Sequence, residues 1–188
     1  MAVSEQTIEI LLDEIGEDVA REGLRETPRR VREAWLEWTA GYHKRPESIL
    51  KAFTDGATDE LVLVRDIRFY SHCEHHLAPF FGVAHVGYIP NGSIVGISKL
   101  SRLVDVFGQR LQVQERLTAQ IADALYSHLR PRGVGVVLEA RHLCMESRGI
   151  AKPGAVTVTS SLRGCIKDEP DSRAEFLSLT RSSPNVAV

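Results

Sequence analysis

Cys73, Glu74, His75 and His76 stand in four consecutive positions, with His72 just before them. Thiolate sulfur and neutral imidazole nitrogen are the protein donors that bind zinc best. If this stretch turns helically, Cys73 and His76 lie three apart on one face and grip the same ion. His75 then points elsewhere, free for proton chemistry beside the metal. Two donors do not make a protein zinc site, and EARHLCMES (139–147) supplies more: His142 and Cys144, two apart and so on one face of a strand. The candidate ligands are Cys73, His76 and Cys144, with His75 and His142 near them. Spacing alone leaves the count open between three ligands with a vacant position and four in a closed structural site. A Cys73–Cys144 disulfide is disfavoured by the reducing compartment expected below.

A second group of residues suits an anion. Ser98, Lys99 and Arg102 fall at a predicted helix start, and Arg148 follows Cys144 closely. Free N–H groups at a helix start favour negative charge, and a guanidinium grips phosphate in a fork. Each of these cations taken singly also reads as an ordinary solvated surface charge. No GxGxxG or P-loop pattern is present, so a nucleotide has to be held in some other way.

The elements that must position these groups follow from periodicity. Residues 4–23 predict a first helix capped by Ser4 and stopped at Gly23, and Thr27-Pro28 opens a second that ends at Gly41. Residues 42–58 read as a loop with a short helical turn. ELVLVRDIRFYS is strand-like, and 81–98 reads as a hairpin turning at Pro90-Asn91-Gly92. Leu100, Leu103, Val104 and Phe107 have helical spacing, as do Leu117, Ile121, Leu125 and Leu129. GVGVVLEARHLC and AVTVTSSLRG are predicted strands, DSRAEFLSLTRS is a closing helix, and the last few residues are expected to fray. The predicted class is α+β, with four or more mainly antiparallel strands. A helical region, 1–58, leads into a catalytic domain, 59–188, as one functional unit.

At 188 residues, 43% hydrophobic and 26% charged, the chain suits one globular core. A formal net charge of −2 gives no footprint for nucleic acid or an anionic membrane. No apolar run approaches the ~20 residues of a membrane span. Three cysteines without a leader argue for a reducing, cytoplasmic setting, and Cys165 reads as a bystander.

CEHH (73–76), GISKLSRLVD (96–105), QVQERLT (112–118), ARHLCMESRG (140–149) and TSSLRG (159–164) together closely resemble the GTP cyclohydrolase I family, over about residues 8 to 182. The resemblance implies one zinc ion per subunit, held by Cys73, His76 and Cys144. It implies hydrolytic attack at C8 of the guanine of GTP, with His75 and His142 as the acid–base histidines. Loss of C8 as formate, an Amadori rearrangement of the ribose and ring closure would give 7,8-dihydroneopterin triphosphate, the first step towards tetrahydrofolate and pterins. Ser98 matches a serine near the ribose, Glu115 the carboxylate that anchors the guanine N–H groups, and Gln114 its neighbour at the base. Lys99, Arg102 and Arg148 match triphosphate contacts, and Arg30 (or Arg29) an arginine from an adjacent subunit. The implied architecture is a tunnelling fold (T-fold): an antiparallel sheet with helices on one side, its strands closing into a barrel across subunits. The implied assembly is a homodecamer of two pentamers with sites at the interfaces, without nucleic acid or membrane. Two other readings compete: a related pterin synthase, whose zinc ligands would be expected to be histidines, and a closed zinc module serving assembly.

Overall fold

A computed structural model describes residues 3–56 and 58–181. The expected fraying of the C-terminus falls on residues 182–188, outside the described residues. The chain divides into two compact units between Ala40 and Gly41.

The first unit is helical. Helix α1 spans Glu5–Glu14, with the Ser4 hydroxyl accepting from the Thr7 N–H as its cap. It stops well short of Gly23, because Gly16 adopts φ +89° and the Gly16 and Glu17 amides turn back to Asp13 and Leu12. A 3-10 turn covers Glu22–Leu24, and α2 runs Thr27–Trp38 with Pro28 in its first turn. It ends before Gly41.

The second unit carries the chemistry. After a 3-10 turn ending at His43 come α3 (Pro46–Ile49) and β1 (Ala52–Phe53), in the stretch expected to be mostly loop. Strand β2 is Val62–Cys73, β3 is Pro79–Ile89 and β4 is Ile94–Val95. The expected 81–98 hairpin does not form: β4 pairs antiparallel with β1, and β3 lies between β2 and a later strand. The Tyr88 hydroxyl accepts the Val95 N–H, tying the small sheet to the large one. Next come α4 (Ile97–Gly108), β5 (Leu111–Gln112), α5 (Gln114–Leu129), β6 (Gly133–His142), α6 (Leu143–Glu146), β7 (Val156–Gly164), α7 (Cys165–Asp168) and α8 (Pro170–Arg181).

The main sheet runs β5-β2-β3-β6-β7, antiparallel throughout except for the two-residue parallel pairing of β5 with β2. Its two faces follow from the strand period of two. Ala84, Val86, Tyr88, Val134, Val136 and Leu138 face α4 and α5, which supply Leu100, Leu103, Leu117, Ile121 and Leu125, all fully buried. Each such side chain contributes roughly 1.5–3 kcal/mol by leaving water. The opposite face carries Ile89 and Val137 against Ile166 of α7 and Phe176 of α8. Helices therefore lie on both faces, a correction to the one-sided arrangement expected. The reason is a hollow: Gly87 and Gly135 are register partners, and the Phe176 ring lies where their missing side chains would be.

Candidate metal centre

The three ligand candidates come from the ends of two strands at one end of the sheet. Strand β2 delivers Cys73 as its last residue. There the Leu77 N–H bonds back to the Cys73 carbonyl at 2.9 Å, the Cys73 N–H donates to Ala78 O, and Leu77 takes φ +53°. That single tight turn brings His76 back over Cys73, with Nδ1 3.7 Å from the Cys73 sulfur. Cys144 arrives differently from the expectation. Strand β6 ends at His142, and Cys144 sits on the one-turn helix α6, whose Ser147 N–H bonds to Leu143 O. His142 and Cys144 do not share a strand face.

The ligand atoms of Cys73, His76 and Cys144 all lie within 4.8 Å of one another. Cys73 is buried, Cys144 partly buried and His76 exposed, so one side of the cluster is open. Burial, then the neighbouring Cys73 sulfur, raises the Cys144 thiol above the ordinary cysteine range. A divalent cation would reverse that cost, since it binds thiolates. Two sulfurs and one imidazole are a donor set that fits zinc. Among the described residues no fourth His, Cys, Asp or Glu donor joins this group.

His142 stays out of the cluster because it is engaged elsewhere. Its Nε2 lies 2.7 Å from Gln114 Oε1, and its ring stacks on Phe80 at 4.6 Å between centroids and 4° between planes. Burial pulls its pKa down, and the charge of Glu115 partly opposes that shift. Glu115 itself is exposed in the first turn of α5. The His75 ring stands edge-on to His76 at 6.3 Å and does not enter the ligand group.

Arg148 Nη1 donates to His76 Nε2 at 3.0 Å. Ser98 and Lys99 lie in the first turn of α4, which has no side-chain cap. Arg102, one turn on, lines a cavity of about 540 Å³ with His43, Lys44, Arg45, Ser48 and Asp105. Arg30 is exposed on α2, in the first unit.

Two features of the site were missed by the sequence reading. Phe80 reads as an ordinary core aromatic, and only its pairing opposite His142 gives it a second role. Arg116 holds the metal-side turn: its guanidinium makes a two-pronged bond to Glu74, while its Nε donates to Gln112 Oε1 at 3.0 Å. The Glu74 N–H also donates to Gln112 O at 3.0 Å. The adjacency of Arg116 to Glu115 and of Glu74 to Cys73 is visible in the sequence, but nothing there links the two stretches.

Comparison with known proteins is consistent with this centre. The profile of the GTP cyclohydrolase I family matches residues 4–181. A protein named GTP cyclohydrolase 1 from Nitrosospira multiformis is 60% identical over 174 residues, covering 92% of this chain and 91% of that one. The protein of that name from Janthinobacterium sp. is 61% identical over 173 residues (91% and 87% of the two chains). That from Thermobifida fusca is 55% identical over 177 residues (93% and 86%). Among solved structures, an archaeosine synthase QueF-Like in the apo form covers 57% of this chain and 97% of its own, at 19% identity and a TM-score of 0.48, too distant to carry weight. With a family profile spanning nearly the whole chain and relatives above half identity, the chain belongs to the GTP cyclohydrolase I family.

Proposed function

We propose that this protein is a zinc-dependent hydrolase that opens the five-membered ring of the guanine of GTP, releasing C8 as formate and leaving 7,8-dihydroneopterin triphosphate. The observation that carries the reading is a three-donor metal cluster with an open side, flanked by two histidines that are not ligands, in a chain of this family. Cys73, His76 and Cys144 would hold one zinc per subunit. Bound there, zinc would supply a Lewis acid able to bring the pKa of a water to about 7.

The chain's own groups do the rest. Glu115 accepts the parallel N–H groups of the guanine edge, which suits a carboxylate with two acceptor oxygens. Lys99, Arg102 and Arg148 bind the triphosphate, and Arg30 reaches it from a neighbouring subunit. His75 and His142 move protons to and from the ring nitrogens as the C8 bonds break, work that imidazole does well near neutrality. Ser98 assists the proton transfers of the ribose rearrangement. In total two waters add at C8, formate leaves, and one water is lost when the new ring closes.

A homodecamer of two pentamers, with the sheet closing into a T-fold barrel across subunits, completes the reading. Its support is two open edges: among the described residues β7 pairs only with β6, and β2 pairs on its far side only at His72 and Cys73. The helical region 1–58 and the domain 59–188 then work as one functional unit. No helix among the described residues is long and apolar enough to cross a membrane. A cytoplasmic enzyme that needs no nucleic acid fits the substrate and the thiolate ligands.

The test is formate release from GTP by the purified protein, with zinc measured on the same sample. Formate with about one zinc per chain is the expected result, matching the three-donor site of a catalytic zinc. Zinc-loaded protein that releases none would overturn the reading.

A further inference from the structure

The side chain of Gln114 is almost wholly buried, and both ends of its amide have polar partners. Its Nε2 lies 2.9 Å from Thr157 O, 3.1 Å from Leu138 O and 3.1 Å from Thr159 Oγ1. Two of these are carbonyl oxygens, which only accept. That end of the amide is therefore the NH₂, because turning it over would press oxygen against two oxygens. The hydroxyls agree. Thr118 Oγ1 donates to Gln114 O at 2.7 Å, so in its 2.7 Å contact with Thr159 the Thr159 hydroxyl is the donor. Thr159 Oγ1 is thereby left to accept from the Gln114 amide. The bonds through Thr159 and Thr118 run in one direction back to the Gln114 carbonyl, and the two carbonyl acceptors fix the same amide orientation.

The consequence falls on His142. Gln114 Oε1 is an acceptor, so the imidazole nitrogen 2.7 Å away carries hydrogen. Neutral His142 is then the Nε2–H tautomer, and Nδ1 holds the lone pair. Phe80, fully buried and parallel to the ring, fixes its plane. No residue among those described hydrogen-bonds to Nδ1.

We infer that Gln114 is a positioning residue: it locks His142 as the Nε2–H tautomer, so that the reaction's proton is exchanged at Nδ1. This rests on the proposed acid–base part of His142. It also gives Gln114 a different task from a contact with the base, since both amide hydrogens are already committed within the chain.

The test begins with the wild-type protein and needs no substrate. Magic-angle-spinning ¹⁵N spectra of zinc-loaded, ¹⁵N-histidine-labelled protein, with His142 assigned by difference against His142→Gln, should show hydrogen on Nε2 and none on Nδ1 in the neutral form. The converse pattern overturns the inference. In Gln114→Leu the tautomers should mix, with kcat down about 10–100-fold and KM for GTP within about 3-fold of wild type. A raised KM with unchanged kcat would instead mean that Gln114 binds the base. Failure of the GTP reading shows separately, as wild-type protein that releases no formate whatever its tautomer.

Discussion

His75 and His76 are adjacent in the chain, yet only His76 joins the cysteines. The turn from Cys73 to Leu77 decides this, because its return bond brings the residue three after Cys73 over the sulfur. Neighbouring residues on a helical turn diverge by about 100°, and the two rings meet edge to face. The two residue types should fail differently. Cys144→Ser is expected to lose metal and turnover together, since an alcohol does not replace a thiolate at a three-ligand site. His75→Ala is expected to keep its zinc and lose about 10²–10⁴-fold in turnover, the range for a missing general acid or base. Zinc by atomic emission and formate release on the same samples separate the outcomes. Loss of zinc from His75→Ala would give that residue the ligand role instead.

At the scale of elements, the placement of α8 depends on what two strands lack. An added Cβ at Gly135 would lie 2.6 Å from Phe176 Cε1 and Cζ, and one at Gly87 would lie 3.1 Å from Cε2. Phe176 is fully buried, so its ring cannot swing aside. Gly135→Ala is expected to destabilise the fold by about 1–3 kcal/mol through overpacking. Phe176→Leu should recover part of that loss in the double variant, giving a non-zero coupling in denaturant unfolding. Strict additivity would mean that the ring does not rest on the glycines. This is also where the sequence stops being legible. Leu117, Ile121, Leu125 and Leu129 declare α5 by spacing alone, and Leu100, Leu103, Val104 and Phe107 declare α4. Phe176 carries no sign of which sheet face it will cover, and Gly87 and Gly135 look only like weak strand residues. The 81–98 hairpin misled for a related reason. Pro90-Asn91-Gly92 is a sound turn signal, but the two residues of β4 have too little period to say that they join β1, where Ala52 pairs with Val95 and Phe53 with Ile94. The shared strand face predicted for His142 and Cys144 does not form. The strand ends at His142, and a one-turn helix carries Cys144 instead.

On the scale of the whole molecule, one chain leaves its sheet unfinished. The outer edge of β7 has no partner among the described residues, and Val156 and Val158 on that strand are 55% and 60% exposed. Open, apolar edge strands invite pairing with another copy. Assembly matters to the chemistry if Arg30, exposed on α2, serves a site built by a different copy. That division of labour has a direct consequence for mixed oligomers. Arg30→Ala and His75→Ala are each expected to be nearly inactive alone. When the two are co-expressed with different tags and purified through both, some sites combine an intact His75 with an intact Arg30 from the neighbour. Random closed assembly puts that fraction at about a quarter of all sites, and formate release should recover to roughly that share of wild type. Light scattering on the doubly purified sample establishes that the two variants share one particle. If the particle is mixed and activity stays at the sum of the parents, Arg30 acts within its own chain. The open sheet edges would then account for assembly, with no residue shared across the interface.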